Sequence, residues 1–230
     1  MNRVISAAAL LALFAVGEGS ANAAELITNG GFETGTLSGW TATANGTGSC
    51  DTDWNVNSTG YTNCNGVASP AAGAYAAYTS FDGNGPQVFR LSQGILLPSS
   101  VVAASLAWSE TYNFLIFAGA PRQFVVSLLD ATSTNVLGTI NSQSFSGLTS
   151  LGWTAFNTDV TSLLSGYAGQ SVTLAFDAVI PGNFTGPGGF GLDSISLQVT
   201  SGGAAVPEPA TLGLLGLGLL GLGFARRRKG

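Results

Sequence analysis

The clearest apolar runs of this chain repeat every second residue, and no stretch between residues 24 and 200 carries a convincing helical period. Val102, Ala104, Leu106 and Trp108 alternate with Ala103, Ser105 and Ala107. Val172, Leu174, Phe176 and Ala178 alternate with Ser171, Thr173, Ala175 and Asp177. A period of two places successive side chains on opposite faces of a pleated strand, so both runs read as half-buried strands. Arg122 to Leu129 is apolar on both faces at its centre, as in a strand covered on both sides. Glu25 to Thr28, Ala74 to Thr79, Gln87 to Ser92, Asn135 to Ile140 and Trp153 to Asp159 are further candidates, joined by Gly- and Asn-rich connections. The expected fold is all-β, an antiparallel jelly-roll β-sandwich. One short helical turn is expected over Asp159 to Leu164, capped by Asp159 or Thr161.

The last strand contains an irregularity. Phe190 and Leu192 lie in one phase of the alternation, and Ile195, Leu197 and Val199 lie in the other. The slip falls at Asp193-Ser194, where one extra residue would make a β-bulge and re-aim the acid.

Charge and composition exclude several functions. Residues 24–200 contain no Lys, and their basic residues are Arg90 and Arg122, against acidic side chains at 25, 33, 51, 53, 82, 110, 130, 159, 177 and 193. Such a surface cannot neutralise a phosphate backbone, which rules out nucleic acid as a partner and leaves cations and neutral sugars. The chain has no histidine, so a Ser-His-Asp triad, a Cys-His pair and a His-ligated zinc are all excluded. Two carboxylates suffice for a glycosidase, and Glu33 and Glu110 are the residues to test, but nothing in their spacing supports catalysis. The expectation is that the protein is not an enzyme, and no catalytic residue is assigned.

Both termini carry export features. Arg3, the apolar run Ala7 to Val16 and Ala21-Asn22-Ala23 form the three regions of a signal peptide over residues 1–23, with signal peptidase cutting after Ala23. The β-sandwich is then expected over 24–200, a linker over 201–205 and a sorting signal over 206–230. In that signal Pro207 and Pro209 flank Glu208, lock φ and remove two backbone donors, keeping the peptide extended. Leu212 to Phe224 is an apolar segment interrupted by five glycines, and Arg226 to Lys229 is basic. As a helix, Ala210 to Ala225 would reach about 24 Å against a hydrocarbon core of about 30 Å, a short transmembrane span. The basic end is expected to stay cytoplasmic, placing the ectodomain on the periplasmic side.

This tail resembles the PEP-CTERM protein-sorting domain, with Pro207-Glu208-Pro209 as its signature. The resemblance implies a membrane-anchored precursor read by an exosortase, which cuts near the signature and delivers the protein to the cell surface or exopolysaccharide matrix of a Gram-negative bacterium. A matrix or biofilm component associated with exopolysaccharide is the function it implies. A lectin-like module with defined glycan specificity is the alternative, and a glycosidase the third reading.

Cys50 and Cys64 are the only cysteines, and in an exported chain they are expected to close a loop of about fifteen residues, worth about 3 kcal/mol in the chain-entropy picture. Inside that loop Trp54 and Tyr61 sit among Asp51, Asp53, Asn55, Asn57 and Asn63, a mixture suited either to a sugar-binding surface or to simple loop packing. Tyr112, Phe114 and Phe117 form a second aromatic candidate, while Trp40, Trp108 and Trp153 are expected in the core. The motif Asn29-Gly30-Gly31-Phe32-Glu33-Thr34-Gly35 with Ser38-Gly39-Trp40, together with Phe190 to Leu197, resembles the two ends of galactose-binding-like β-sandwich domains. That resemblance implies paired chain ends and a structural calcium between Glu33 and Asp193, completed by backbone carbonyls and water. The alternative leaves Glu33 as a turn carboxylate and Asp193 as the cap of a bulge.

Overall fold

A computed structural model describes residues 22–46, 48, 50–60, 66, 68–82, 85–114, 121–147, 149–182 and 186–202. In chain order the elements are β1 (Asn22–Glu25), β2 (Thr41–Ala44), β3 (Thr52–Asn57), β4 (Ala76–Phe81), β5 (Gln87–Leu96), β6 (Ala103–Phe114), β7 (Arg122–Asp130), β8 (Val136–Phe145), β9 (Thr149–Asp159), α1 (Thr161–Ser165), β10 (Ser171–Ile180) and β11 (Gly188–Ser201). They form two antiparallel sheets of a β-sandwich. The first runs β3-β4-β11-β6-β9 with β1 also on β11, and the second runs β2-β5-β10-β7-β8. The compact unit spans Asn22–Ser201.

One phase of each central strand builds the core. Phe89 and Leu91 of β5, Leu106 and Trp108 of β6, Phe124 and Val126 of β7, Leu174 and Phe176 of β10, and Phe190 and Leu192 of β11 are all buried. Phe81, Phe114, Phe124 and Phe190 meet ring to ring, with centroids 4.8 Å apart for both Phe114–Phe190 and Phe124–Phe190. Strand β10 lies between β5 and β7, and its second phase is also covered: Thr173, Ala175 and Asp177 are buried. The cover is polar. Arg90 lies on Asp177, and Ser133 Oγ donates to Thr173 Oγ1.

The phase slip is a bulge. The pairing of β11 with β6 shifts between Asp193 and Ser196, and Ser194 has φ of 54°. The chain ends pair as expected, although the regular strand β1 begins three residues earlier than the expected Glu25 to Thr28 and ends at Glu25; Leu26 continues the contact by donating to the Leu197 carbonyl at 3.0 Å. Strands β2 and β3 have no counterpart in the sequence reading, because β2 is short and polar and β3 lies in the segment read as a disulfide loop. Val102 precedes β6 and is exposed rather than inward. The helical turn forms, but Val160 occupies its N-cap position. Asp159 Oδ1 accepts the Thr161 N–H at 2.8 Å, while the Thr161 hydroxyl accepts the Ala104 N–H.

Among the described residues no helix is long and apolar enough to cross a membrane. The expected signal-peptide core, Pro207-Glu208-Pro209 and the Leu212 to Phe224 segment lie outside them.

Candidate functional site

The bulge fixes Asp193. Its carboxylate is fully buried; Oδ2 accepts the Ala72 N–H at 3.0 Å and Oδ1 accepts the Ser194 N–H at 2.6 Å. Burial pushes its pKa above the ordinary aspartate value, against the pull of these amides. Glu33 is exposed, and it grips the same loop further along. The Ala74 N–H donates to both carboxylate oxygens at 3.1 and 3.0 Å, and the Tyr75 N–H donates to Oε1 at 3.2 Å. Between these amides Gly73 has φ of 61°, and a Cβ there would lie 2.2 Å from Glu33 Oε1, so the loop requires glycine.

The opening motif is seated against the bulge. Gly30 accepts the Ile195 N–H at 2.9 Å, and a Cβ on Gly30 would stand 1.8 Å from the Ile195 carbonyl oxygen. Phe32, with φ of 57°, turns into the core beside Trp40. Asn29 Nδ2 ties the turn by donating to the carbonyls of Thr36 and Ser38. Glu33 and Asp193 hold neighbouring amides of one loop, and Glu33 Cγ and Asp193 Oδ1 lie 3.8 and 3.9 Å from where a Cβ of Gly31 would be.

The donor set suits a hard cation. Both side chains offer carboxylate oxygens, as calcium prefers. Asp193 is buried, and the ion pair found among the described residues belongs to Arg90 and Asp177. An acid buried without a cation is costly, which is the condition a bound metal relieves. No group of three or more His, Cys, Asp or Glu side chains gathers among the described residues, so main-chain carbonyls and water would supply most of the shell.

The aromatic candidates fare differently. Trp54 is 3 % exposed on β3, and its indole N–H donates to the Phe89 carbonyl at 3.1 Å. It is a core residue and presents no face to a sugar, which corrects the sequence assignment. Tyr112 and Phe114 are also core, stacked at 5.1 Å. Trp40 and Trp108 are buried as expected, whereas Trp153 is half-buried on the outer side of its sheet against Tyr78. Cys50 is not a free thiol. Tyr61, Cys64 and Phe117 lie outside the described residues.

Glu110 is fully buried between the sheets, where Trp108 Nε1 donates to it at 2.7 Å and Gln143 Nε2 donates to its other oxygen. A carboxylate held there cannot reach a substrate, which removes it as a glycosidase acid.

The structure also contains a groove that the sequence reading missed. It lies on the outer face of the second sheet, encloses about 400 Å³ and is lined by Thr41, Thr43, Arg90, Ser92, Ser133 and Thr173 among others. Arg90 donates through Nε and Nη2 to the two oxygens of Asp177 at 2.7 and 2.8 Å, and through Nη1 to the Ser133 carbonyl at 3.1 Å. The turn carrying Ser133 is pinned by Asp130, whose carboxylate accepts from Thr132, Thr134 and Asn135 and is thereby held well below the usual carboxylate range. The available signal was the polar outward phase of two strands, Thr41-x-Thr43 and Arg90-x-Ser92, together with the Asp130 to Asn135 turn.

Comparison with known proteins bears first on the tail: residues 205–229 match the PEP-CTERM protein-sorting motif. The motif implies export, a membrane-anchored precursor and exosortase processing. No curated protein sequence matches the chain. Among solved structures, the enzymatically active domain of tailspike protein 4 from bacteriophage CBA120 is 12% identical with a TM-score of 0.49, over 76% of this chain and 21% of that one. This chain therefore spans about a fifth of that domain's length. TmCBM61, solved with β-1,4-galactotriose, is 17% identical with a TM-score of 0.46, over 76% of this chain and 97% of that one. A Stig cyclase from Fischerella sp. TAU is 15% identical with a TM-score of 0.48, over 78% of this chain and 99% of that one. What is shown for this chain is a sorting motif at its C-terminal end and a β-sandwich before it.

Proposed function

We propose that this is a non-catalytic exported β-sandwich, cut by an exosortase near Pro207-Glu208-Pro209 and delivered to the cell surface or exopolysaccharide matrix, where it serves as a carbohydrate-associated component. The observation that carries the proposal is the sorting motif at residues 205–229, directly after a folded unit that ends at Ser201. Signal peptidase removes residues 1–23, and Cys50 pairs with Cys64. Glu33 and Asp193 hold a structural calcium that fixes the loop at residues 71–75.

The polysaccharide contact is assigned to the groove of Thr41, Thr43, Arg90, Ser92, Ser133 and Thr173. Its hydroxyls and its ion pair supply donors and acceptors while keeping the site close to neutral, which suits uncharged sugar hydroxyls. The test is retention of the Ala24 to Ala205 domain on a panel of insoluble polysaccharides, including the host's own matrix, with calcium and with chelator. Saturable retention lost in Thr43→Ala and Ser92→Ala supports the groove. Retention unaffected by both variants removes it, and no retention on any polymer leaves a structural matrix protein sorted by its tail.

A further inference from the structure

The first sheet also has an outer face, and it is built differently from the groove on the second. Leu106 and Trp108 of β6 are buried in the core, so the alternating Ser105, Ala107 and Ser109 point outward. On β9 the register places Ala155 opposite Ser109, Asn157 opposite Ala107 and Asp159 opposite Ser105, and all three β9 residues are exposed. On the other flank of β6, Ser196 of β11 stands opposite Ala107, and Gln198 stands opposite Ser105. The result is a flat lattice of small and polar side chains. Toward the end of β9 it deepens into a cavity of about 320 Å³ lined by Ser105, Asn157, Asp159, Gln198 and Thr200 among others.

Trp153 stands at the opposite end of this surface. Trp40, Trp54 and Trp108 are buried, whereas Trp153 is half-buried on the outer face. Its indole N–H donates to the Ser69 carbonyl at 2.6 Å, and its ring meets Tyr78 edge-on with centroids 6.2 Å apart. Its Cη2 reaches across β6 to Gly191 of β11, where a Cβ would come within 3.0 Å of it, so the missing side chain is what lets the indole close over the sheet. From Trp153 to Asp159 the strand runs about 20 Å, enough for several sugar rings in a row.

Resting on the carbohydrate reading above, we infer that this face is a second polysaccharide-binding surface, with Trp153 as its stacking platform and the Asn157 and Gln198 cavity as its polar end, so that the domain bridges two polymer chains. A fixed indole offers a sugar an apolar face at little cost in side-chain entropy, and the amides and hydroxyls beyond it match ring hydroxyls. The basic side chains among the described residues, Arg90 and Arg122, both belong to the second sheet, while Asp159 stands on this face. The surface therefore suits a neutral polymer and disfavours an acidic one. The outer faces of the two sheets look away from each other across about 10 Å of core, which puts a chain held here and a chain in the groove of Thr43 and Arg90 on opposite sides of the domain. The cavity is smaller than the groove, so a single contact here is the weaker of the two. A polymer repeats its sugars, and domains displayed side by side hold it through many such contacts at once.

The test uses residues 22–205, which contain the whole compact unit. The protein is loaded on insoluble cellulose, β-1,3-glucan, mannan and the host's own matrix, washed, and offered fluorescently labelled soluble fragments of the same material. On a polymer that retains the protein, the loaded solid should capture at least about tenfold more label than the bare solid. Ala155→Lys fills the floor between Trp153 and Asn157 from an exposed position; it should stay on the solid through the groove and lose the capture at least about tenfold. Trp153→Ala should act likewise, but it also uncovers Tyr78, so Ala155→Lys is the deciding variant. Retention of the unaltered domain without capture overturns the bridge, and capture that survives Ala155→Lys overturns this face as the second site. Retention on no polymer overturns the carbohydrate reading itself, and this inference with it.

Discussion

Asp193 and Glu110 are both fully buried acids on neighbouring strands, with Leu192 of β11 opposite Glu110 of β6. Neither has an ion pair among the described residues. Their partners differ in kind. Glu110 is satisfied by two side chains, one of them Gln143 from the other sheet, and so ties the two layers of the sandwich together. Asp193 is satisfied by main-chain amides at the bulge and in the loop at residues 71–75, and Glu33 approaches that loop from outside. An acid closed off by side chains inside a core is structural. An acid whose oxygens accept main-chain amides organises a loop, and the calcium proposed above would tighten that loop further.

The largest effect expected from this contrast is on Glu110. Glu110→Ala leaves the Trp108 and Gln143 donors unpaired in the core, and chemical denaturation should show a loss of about 2–5 kcal/mol. Calcium should leave that loss unchanged. Asp193→Ala frees the Ala72 and Ser194 amides and should cost about 1–3 kcal/mol in the same assay, while also abolishing any calcium dependence. If the two variants respond to calcium alike, the distinction between the acids fails.

Calcium itself provides the next test. At a hundred times its dissociation constant a ligand adds about 2.7 kcal/mol, which for a domain of this size raises the Tm by roughly 5–10 °C. Thermal melts with calcium and with chelator should differ by that much, and Glu33→Ala should remove most of the difference. Identical melting removes the calcium proposal.

The pH dependence sharpens the contrast further. Burial raises the folded-state pKa of both Glu110 and Asp193, so each binds its proton more tightly when folded. Their contribution is present in full below the ordinary carboxylate range and is lost as the pH rises through the raised values. Asp130 and Asp159 have lowered values, and their contribution has the opposite sign, falling away as the pH drops below the ordinary range. Stability should therefore decline as the pH rises above about 4–5, the ordinary range. Glu110→Gln should flatten that decline without calcium, and calcium should suppress the Asp193 share by favouring its ionised form. The smallest effect is expected at the groove. Asp177→Asn weakens the pair between half-buried Arg90 and buried Asp177 but keeps one acceptor, at a cost of about 1 kcal/mol, and should show more clearly as reduced polysaccharide retention than as a lower Tm.

Much of this could be read from the chain because strand alternation is a local signal. Leu106 and Trp108, or Leu174 and Phe176, announce their faces within a few residues, and the slip at Asp193-Ser194 is visible as a change of phase. That Glu33 and Asp193 serve one loop came from a resemblance of the chain ends rather than from any spacing between them. Trp54 was misplaced for a physical reason: its neighbours are polar, yet β3 pairs with β4, and the indole turns inward to a carbonyl of β5. The groove was legible only in fragments such as Thr41-x-Thr43 and Arg90-x-Ser92, since Arg90, Ser133 and Asp177 are separated in sequence and converge only when β5 and β7 flank β10. Glu110 was readable as an acid in an inward phase, but its partner Gln143 belongs to the other sheet.

The most direct test of the account is the fate of the C-terminal tail. The full chain and a variant lacking Pro207 to Pro209 would be expressed in an exosortase-bearing host, fractionated into inner membrane, surface and matrix, and the C-terminus of each pool determined by mass spectrometry. The account predicts surface or matrix protein that has lost the segment from Leu212 onward, and a deletion variant held intact at the inner membrane. A deletion variant that reaches the surface as efficiently as the full chain, or a surface form that keeps Arg226 to Lys229, would contradict it.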